Sequence, residues 1–280
     1  MSSEWSFDSE QTRRYTHVRQ TFIREFLNDI RSQAELVSAI DVGCGVGYFT
    51  KFLADLGFRA TGIDGREENA REARRRYPNL SFATEDVEQP SLAKLGNFDL
   101  VLCVGLLYHL ENPFRAIRNL HALSNKLAII ESMCAPGHDA EMFLLNEGRE
   151  HDQGLNYVAF YPTEPCLIKM FYSAGFPFVY EFRRYPSDEQ FHTTRSRFKS
   201  RTFLVASRIE LDGANLLLAE NKVKFVVSAP DIWTTRAARF LQSSRSSLGY
   251  VKRVAARLLK PRGNVRSRQS ETKPIHQPDE

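Results

Sequence analysis

The sequence predicts an α/β fold built around a doubly wound, mostly parallel sheet with helices on both faces. Three observations support this fold class. Short apolar segments alternate with helical patterns from about residue 37 to residue 131. A glycine-rich turn follows the first of these segments and leads directly into a helical pattern. The run from Phe98 to Val104 is almost continuously apolar, as expected for a strand of a parallel sheet that is buried on both faces.

The individual elements follow from periodicity and from the residues that interrupt it. Apolar residues at helical spacing predict a helix before the first strand, and Gly57, Pro113 and Gly175 mark the limits of later helices. Residues 135–160 break the alternation and predict an inserted loop or small lid. The predicted strands lie at about 37–42, 59–64, 80–83, 98–104, 126–131, 176–182 and 202–207. The predicted helices lie at about 12–31, 47–56, 66–77, 113–123 and 161–174.

The composition is that of a soluble globular protein, because 42% of the 280 residues are hydrophobic and 26% are charged. No apolar run approaches the ~20 residues of a membrane span, and the polar N-terminus is unlike a signal peptide. The four cysteines lie far apart without a Cys-x-x-Cys pair, which predicts buried thiols and neither disulfides nor a metal site. We therefore expect a cytoplasmic protein.

The strongest local motif is the acid and glycine pattern after the first predicted strand. Asp41 ends the strand, and Gly43, Gly45 and Gly47 follow at every second position. A strand, a glycine turn and a helix N-terminus present backbone N–H groups to a nucleotide-like ligand. A dinucleotide fingerprint would place its third glycine one residue later, at Tyr48, so a nicotinamide-dependent oxidoreductase is the weaker interpretation. A tight turn without a ligand is the remaining alternative.

This pattern resembles the first motif of the class I S-adenosylmethionine-dependent methyltransferases, an acid followed by three alternating glycines. The resemblance implies S-adenosyl-L-methionine (SAM) as cofactor, held in part by Asp41 and the three glycines. It also implies a Rossmann-like, seven-stranded sheet of order 3-2-1-4-5-7-6 with an antiparallel last strand. The regions expected are an N-terminal capping helix region (1–34), a methyltransferase domain (35–210, insertion at about 135–160) and a basic, helical and partly disordered C-terminal extension (211–280).

Acids after the second and third strands are expected to contact the nucleoside of the cofactor. Asp64 ends the second strand, where a carboxylate can accept both ribose hydroxyls. A helix cap before Arg66 would look the same locally. Asp86 and Val87 follow the third strand, where the family places an acid or amide on the adenine amino group. Glu85 lies beside Asp86, and a simple loop carboxylate is the alternative.

The segment from Phe98 to Leu110 carries the second resemblance to the family. It begins Phe-Asp-x-Val, ends in Tyr-His, and is followed by a helix that starts at Pro113. The resemblance implies that the carbonyls of Cys103 and Val104 hold the methionyl amine of the cofactor. The Gly-x-Leu-Tyr-His run also resembles the branch of the family that modifies wobble uridines in transfer RNA.

His109 is the candidate catalytic residue, because it follows the fourth strand at the edge where open α/β sheets bind ligands. A neutral imidazole there could accept a proton from a substrate hydroxyl. The alternative is a structural histidine that bonds its own loop. His138, His151, Glu131 and Tyr157 are rival candidates for the base.

The acceptor is predicted to be a small molecule or a sugar-linked metabolite methylated on oxygen, with the 135–160 insertion forming a wall of its pocket. A transfer RNA modifier is the alternative within enzymes. A catalytically inactive SAM-binding or partner-binding protein is the alternative outside them, since no catalytic side chain is certain from the sequence.

The C-terminal region differs in charge from the rest of the chain. Residues 211–280 carry 13 Lys and Arg against 6 Asp and Glu, hence +7, whereas residues 1–210 carry 25 against 28, hence −3. Residues 247–260 have helical apolar spacing flanked by basic residues. Such a helix could contact RNA or an anionic membrane surface, or dock as an ordinary terminal helix. The polar residues beyond Pro261 are predicted to be disordered.

Overall fold

The computed structural model describes residues 5–150, 152–194 and 198–221. Helices and strands alternate along the first half of these ranges, as the sequence predicts. The helices are α1 (Glu10–Asp29), α2 (Tyr48–Asp55), α3 (Glu67–Arg76), α4 (Pro113–Leu123) and α5 (Glu164–Ala174). The strands are β1 (Ser38–Val42), β2 (Arg59–Asp64), β3 (Ser81–Thr84), β4 (Phe98–Val104), β5 (Ser124–Met133), β6 (Met142–Asn146), β7 (Val158–Pro162), β8 (Phe178–Phe182), β9 (Arg201–Ser207) and β10 (Leu216–Leu218).

Eight of these strands form one sheet in the order β3-β2-β1-β4-β5-β9-β8-β10. The first five strands are parallel to one another, and β9 is antiparallel to β5. Without the β6–β7 hairpin, β8 and β9 are the sixth and seventh strands along the chain. The first seven strands then have the predicted order 3-2-1-4-5-7-6. The prediction of a Rossmann-like, doubly wound sheet is confirmed, and β10 adds an eighth strand antiparallel to β8.

The strand order reverses between β1 and β4, which pair directly at Ala39 with Leu100 and Ile40 with Val101. The chain leaves β1 toward β2 on one side and reaches β4 on the other. The loops after β1 and β4 therefore separate and leave a crevice at the carboxyl ends of the two strands. This crevice is the place where a ligand is expected.

Alternating side chains of each strand enter two separate cores, one on each face of the sheet. In β4, Leu100 and Leu102 pack with α1 residues such as Phe22, whereas Val101 packs with α4 residues such as Ile117. The period of two along a strand places successive side chains on opposite faces. Both faces are covered by helices, and the strands at the sheet centre are accordingly mostly apolar, with Asp41 of β1 and Glu131 of β5 as buried exceptions.

The insertion forms a second sheet of two antiparallel strands. Strand β6 pairs with β7 from Met142–Pro162 to Asn146–Val158. All five residues of β6 are exposed, whereas Ala159 and Pro162 of β7 are buried. The predicted loop or lid is thus a hairpin, and its connecting residues turn back toward the crevice.

The sheet continues beyond residue 210, where the sequence placed the end of the domain. Leu211, Leu216 and Ala219 are buried, and β10 forms the sheet edge. The helix predicted at 247–260 and the disorder predicted beyond it lie outside the described residues. Among the described helices, none is long and apolar enough to cross a bilayer.

Aromatic packing under α1 gives a direct test of the core. The Phe203 side chain of β9 is fully buried and its ring lies 4.8 Å from that of Phe22. We expect Phe203→Ala to lower the free energy of unfolding by about 3–5 kcal/mol, measured by denaturant titration. Phe198→Ala is the control, because Phe198 is 53% exposed and its removal should change stability by less than about 0.5 kcal/mol. Equal effects of the two substitutions would contradict the packing.

Candidate functional site

The glycine-rich turn after β1 is built from backbone conformations that favour glycine. Gly43, Gly45 and Gly47 have φ angles of 77°, 53° and 91°. The N–H groups of Gly43 and Cys44 both donate to the Ile63 carbonyl of β2, at 2.8 and 2.9 Å. A Cβ atom at Gly45 would lie 2.8 Å from the Phe7 ring. The turn is therefore tight, and its surface consists largely of main chain.

Asp64 at the end of β2 holds this turn in place. Its Oδ2 accepts from the Gly45 N–H at 2.9 Å, and its Oδ1 accepts from the Arg66 N–H and from Asn69 Nδ2 at 2.9 and 3.1 Å. A carboxylate offers about four acceptor positions, so Oδ2 keeps capacity for one more donor. Burial raises the pKa of Asp64, and the surrounding N–H donors and the Arg66 guanidinium oppose that rise.

Asp41 lies behind the glycine turn and is not among the residues that line the cavity. Its Oδ2 accepts a hydrogen bond from Thr50 Oγ1 of α2 at 2.7 Å. Burial raises its pKa to about 7, although the bonds from Thr50 lower it. Gly47 and Cys103 also lie off the cavity wall, and Cys103 is fully buried. Direct cofactor contact by these three residues stays a prediction.

The remaining predicted residues line one cavity of about 380 Å³ at the carboxyl ends of the strands. The strand order places the loops after β2 and β3 at one end of this cavity and those after β4 and β5 at the other. The predicted residues on its wall are Gly43, Gly45, Asp64, Asp86, Val87, Val104 and His109.

Asp86 and Glu85 both reach this wall, so the structure leaves the choice between them open. Asp86 Oδ1 accepts from the Glu88 N–H at 2.9 Å, and Oδ2 accepts from Gln89 Nε2 at 3.1 Å. Glu85 pairs with Lys94 at 2.8 Å, and its N–H donates to the Asp64 carbonyl at 2.9 Å. The Asp86 carboxylate thus shapes its own turn and also faces the cavity.

His109 lies in a short 3₁₀ turn after β4, and its ring is held by a residue of the insertion. Nδ1 is 2.6 Å from Glu147 Oε1, and the two side chains are 11% and 6% exposed. Glu147 Oε2 accepts from the Gly154 N–H at 2.9 Å. Burial acts to raise the pKa of Glu147, but the hydrogen bond and charge of His109 and the Gly154 N–H outweigh it and lower the pKa. No sequence motif indicates Glu147, because its contact with His109 spans 38 residues of the chain.

Among the rival bases, Glu131 is engaged by two arginines. Its Oε1 is 2.9 Å from Arg201 Nη1 and its Oε2 is 3.4 Å from Arg19 Nε. Arg201 also donates to the Tyr108 hydroxyl at 3.3 Å. Burial acts to lower the pKa of Arg201, but the Glu131 charge and Tyr108 raise it overall. Both oxygens of the fully buried Glu131 carboxylate thus lie in ion pairs with arginines, and Glu131 is not among the residues that line the cavity.

Two further rival bases, His138 and Tyr157, are described by the structure and do not line the cavity. His138 is exposed, and Tyr157 is 38% exposed. His151 lies outside the described residues. Over the described ranges, no group of three or more His, Cys, Asp or Glu side chains is arranged to hold a metal ion.

The N-terminal segment packs against the glycine turn. Phe7 lines the cavity, and the next residue, Asp8, forms a two-oxygen ion pair with Arg76 of α3 at 2.7 and 2.8 Å. The hydrogen bond from Arg76 is the main reason that the Asp8 pKa is lowered to about 2, with Tyr48 assisting. This pair fixes the aromatic ring of Phe7 over Gly45, a contact that no sequence motif indicated.

The family model described as a methyltransferase domain matches residues 15–181 of this chain. The chain belongs to this family. Its residues from α1 to β8 include the glycine turn, Asp64 and His109, so the match covers most of the cavity wall. The sequence-based identification of the family is confirmed.

Curated relatives match this methyltransferase domain over part of their length. The chain is 29% identical to the ubiquinone biosynthesis O-methyltransferase of Rickettsia typhi over 137 residues, covering 46% of this chain and 55% of the relative. It is 32% identical to the tRNA U34 carboxymethyltransferase of Pseudomonas syringae over 179 residues, covering 58% and 52%. The chain thus spans about half the length of these relatives.

A solved structure of similar fold is the N-terminal domain of EvdMO1 with SAH bound. It has a TM-score of 0.56 and 22% sequence identity, and the match covers 67% of this chain and 80% of that chain. At this identity the similarity shows the fold.

The buried Asp41 gives a pH-dependent test of the site's construction. Because its pKa rises from the usual 3.8 to about 7 on folding, its stabilising contribution is full below pH ~4 and is lost as the pH rises to about 7. The free energy of unfolding of wild type should therefore fall between pH 5 and pH 8 by about 2 to 3 kcal/mol more than that of Asp41→Asn. Urea titration of both proteins at the two pH values measures the difference. Asp55→Asn, an exposed aspartate with a 56% exposed side chain, should leave the pH dependence unchanged. The same pH dependence of stability in wild type and Asp41→Asn would contradict a raised pKa of Asp41 in the folded protein.

Proposed function

We propose that this chain transfers the methyl group of SAM to a hydroxyl oxygen of a small acceptor, with His109 as general base. The proposal rests on the relative positions of two residues. The acid that ends β2, Asp64, and the histidine that follows β4, His109, line the same cavity across the point where the strand order reverses. Family membership supports the reaction class, and the arrangement of side chains supports the division of the cavity into a cofactor end and an acceptor end.

The residues at the cofactor end fit SAM. The glycine turn provides a main-chain surface that a Cβ atom would obstruct, and Asp64 Oδ2 retains capacity for a ribose hydroxyl. We assign the ribose to Asp64 and the adenine amino group to Asp86 and Val87. The methionyl amine is assigned to the carbonyl region of Cys103 and Val104.

SAM, when bound, supplies a methyl group on a sulfonium, which is already activated for transfer. The protein then has to align the acceptor, exclude water and remove the proton of the attacking hydroxyl. His109 Nε2 accepts that proton in our proposal, since Glu147 engages the other ring nitrogen. A base of this kind typically contributes about 10²–10⁴ in rate.

The acceptor end is a mixed aromatic and charged wall. Tyr108 and Tyr161 pack with ring centroids 5.6 Å apart, and Met133 and Arg201 also line the cavity. Such a wall suits a flat phenolic ring or a sugar ring that carries polar groups. The O-methyltransferase name of one relative supports oxygen as the atom that is methylated.

Asp64 is the residue to test for cofactor binding. We expect Asp64→Asn to weaken the affinity for S-adenosylhomocysteine about tenfold or more, because a ribose hydroxyl loses a charged acceptor. Isothermal titration of wild type and variant measures the change. Asp55→Asn is the exposed control and should bind as wild type does. Equal affinity of wild type and Asp64→Asn would remove Asp64 from the cofactor site.

His109 is the residue to test for proton removal. Phenolic, catecholic and sugar acceptors are screened with tritium-labelled SAM, and the most active acceptor is used for kinetics. His109→Gln should lower kcat at least about 100-fold while the affinity for S-adenosylhomocysteine stays within twofold. His138→Gln, an exposed histidine away from the cavity, should behave as wild type. An unchanged kcat in His109→Gln would exclude it as the base.

A transfer RNA modifier is the second candidate, favoured by the similarity to the tRNA U34 carboxymethyltransferase of Pseudomonas syringae. Such an enzyme should bind transfer RNA with an affinity that falls steeply between 50 and 200 mM salt, roughly 10³-fold or more if several phosphates are contacted. RNA binding that is absent or insensitive to salt would exclude it. A non-catalytic SAM-binding protein would bind S-adenosylhomocysteine and transfer no methyl group to any acceptor in either screen.

A further inference from the structure

We propose that Glu147 is a positioning residue that holds His109 as the Nδ1–H tautomer, so that Nε2 is the nitrogen free to accept the substrate proton. The proposal rests on the function given above, because it assigns the partner of the same base. Glu147 lies in the connection between β6 and β7, so the inserted hairpin would take part in setting up the chemistry as well as forming a wall.

The hydrogen bond itself determines the tautomer. An ionised carboxylate has acceptors only, so a bond between Glu147 Oε1 and His109 Nδ1 requires the proton on Nδ1. At 2.6 Å the contact has the length of a charge-assisted bond. With 11% and 6% of the two side chains exposed, water competes little for either partner. A neutral imidazole with its proton on Nδ1 has its lone pair on Nε2.

The carboxylate of Glu147 is fixed on its other side by the hairpin connection. Oε2 accepts from the Gly154 N–H at 2.9 Å, and the Glu147 N–H donates to the Tyr157 carbonyl at 2.9 Å. A Cβ atom at Gly154 would lie 2.1 Å from the His109 carbonyl oxygen, so the backbone of the connection packs directly on the His109 turn. Both ends of the Glu147–His109 bond are therefore anchored by main chain.

The same connection is tied to the cofactor end of the cavity through Arg66. Arg66 Nη2 donates to the carbonyls of Gln153 and Gly154 at 3.2 and 2.9 Å. The Arg66 N–H donates to Asp64 Oδ1, the acid that we assign to the ribose. The two bonds from Arg66 Nη2 thus link the end of β2 to the segment that contains Gly154, whose N–H donates to Glu147. Substitution of Arg66 should therefore weaken the Glu147–His109 bond by loosening this segment.

The ionisation of Glu147 agrees with this role. Burial acts to raise its pKa, but the hydrogen bond from His109 Nδ1 and the hydrogen bond from the Gly154 N–H act to lower it, and the pKa is lowered overall. The group therefore stays ionised at neutral pH and acts as an acceptor. A protonated glutamic acid could instead donate to the ring and would favour the opposite tautomer.

The test reads the tautomer of His109 directly and requires no acceptor. Long-range proton–nitrogen spectra of the full-length, nitrogen-15-labelled protein are recorded at pH 8, and the His109→Gln spectrum identifies the His109 signals among the 7 histidines. We expect the Nδ1–H pattern in wild type and a shift to mainly Nε2–H in Glu147→Ala. Glu150→Ala, an exposed acid in the same connection, is the matched control and should keep the Nδ1–H pattern.

Three more variants separate positioning from a general loss of structure. Glu147→Gln keeps an acceptor oxygen and should retain more of the Nδ1–H form than Glu147→Ala. Arg66→Ala, which removes the link to the hairpin connection, should lose part of it, and Arg66→Lys should lose less. An Nε2–H pattern in wild type, or an unchanged Nδ1–H pattern in Glu147→Ala, would overturn the proposal.

Kinetics with the acceptor found in the screen distinguish the role of His109 as base from the role of Glu147 as its positioning residue. Glu147→Ala should lower kcat about tenfold or more and leave the affinity for S-adenosylhomocysteine within twofold, with Glu150→Ala unchanged in both. If His109→Gln keeps full activity, the proposed base is wrong whatever the tautomer. If His109→Gln is inactive and Glu147→Ala retains both full activity and the Nδ1–H pattern, the base stands and the positioning role of Glu147 is wrong.

Discussion

The Gly45 N–H donates to Asp64 Oδ2 at 2.9 Å, and this bond joins the loops that follow β1 and β2. A hydrogen bond to a buried charged acceptor contributes about 1.5–3 kcal/mol, more than most neutral ones. It sets the glycine turn against the end of β2, and Asp64 lines the cavity with acceptor capacity left on Oδ2. The same carboxylate accepts the Arg66 N–H, and Arg66 in turn holds the hairpin connection. The shape of the cavity on both sides of the switch point therefore depends on one acid.

Two segments outside the alternating sheet and helix pattern complete the cavity. The N-terminal turn places Phe7 over Gly45 and is held by the Asp8–Arg76 ion pair. The hairpin connection places Leu155 over Gly65 and Glu147 against His109. Each segment packs an apolar side chain over a glycine of the cavity wall. Segments outside the common sheet and helix scaffold thus contribute directly to the wall of the cavity.

The fold was predictable because its signals are local. Apolar runs and the positions of Gly57, Pro113 and Gly175 place the predicted elements of the main sheet within about two residues of their observed limits. Asp64 and His109 follow from their positions at strand ends. Glu147, Arg201 and Phe7 were missed because each reaches the site from a distant part of the chain, where neither spacing nor composition marks it. Asp41 is a different case, because the sequence motif identifies the acid correctly but does not show where its side chain points. In the structure it bonds Thr50 and does not line the cavity.

A crystal structure of the protein with S-adenosylhomocysteine would show whether the proposed cofactor site is correct. We expect the ribose hydroxyls to contact Asp64, the adenine to lie beside Asp86, and the sulfur to lie on the side of the cavity lined by His109. We also expect the Glu147–His109 bond to be retained in the complex. A ligand bound outside this cavity, or a ribose without contact to Asp64, would contradict the assignment of the site.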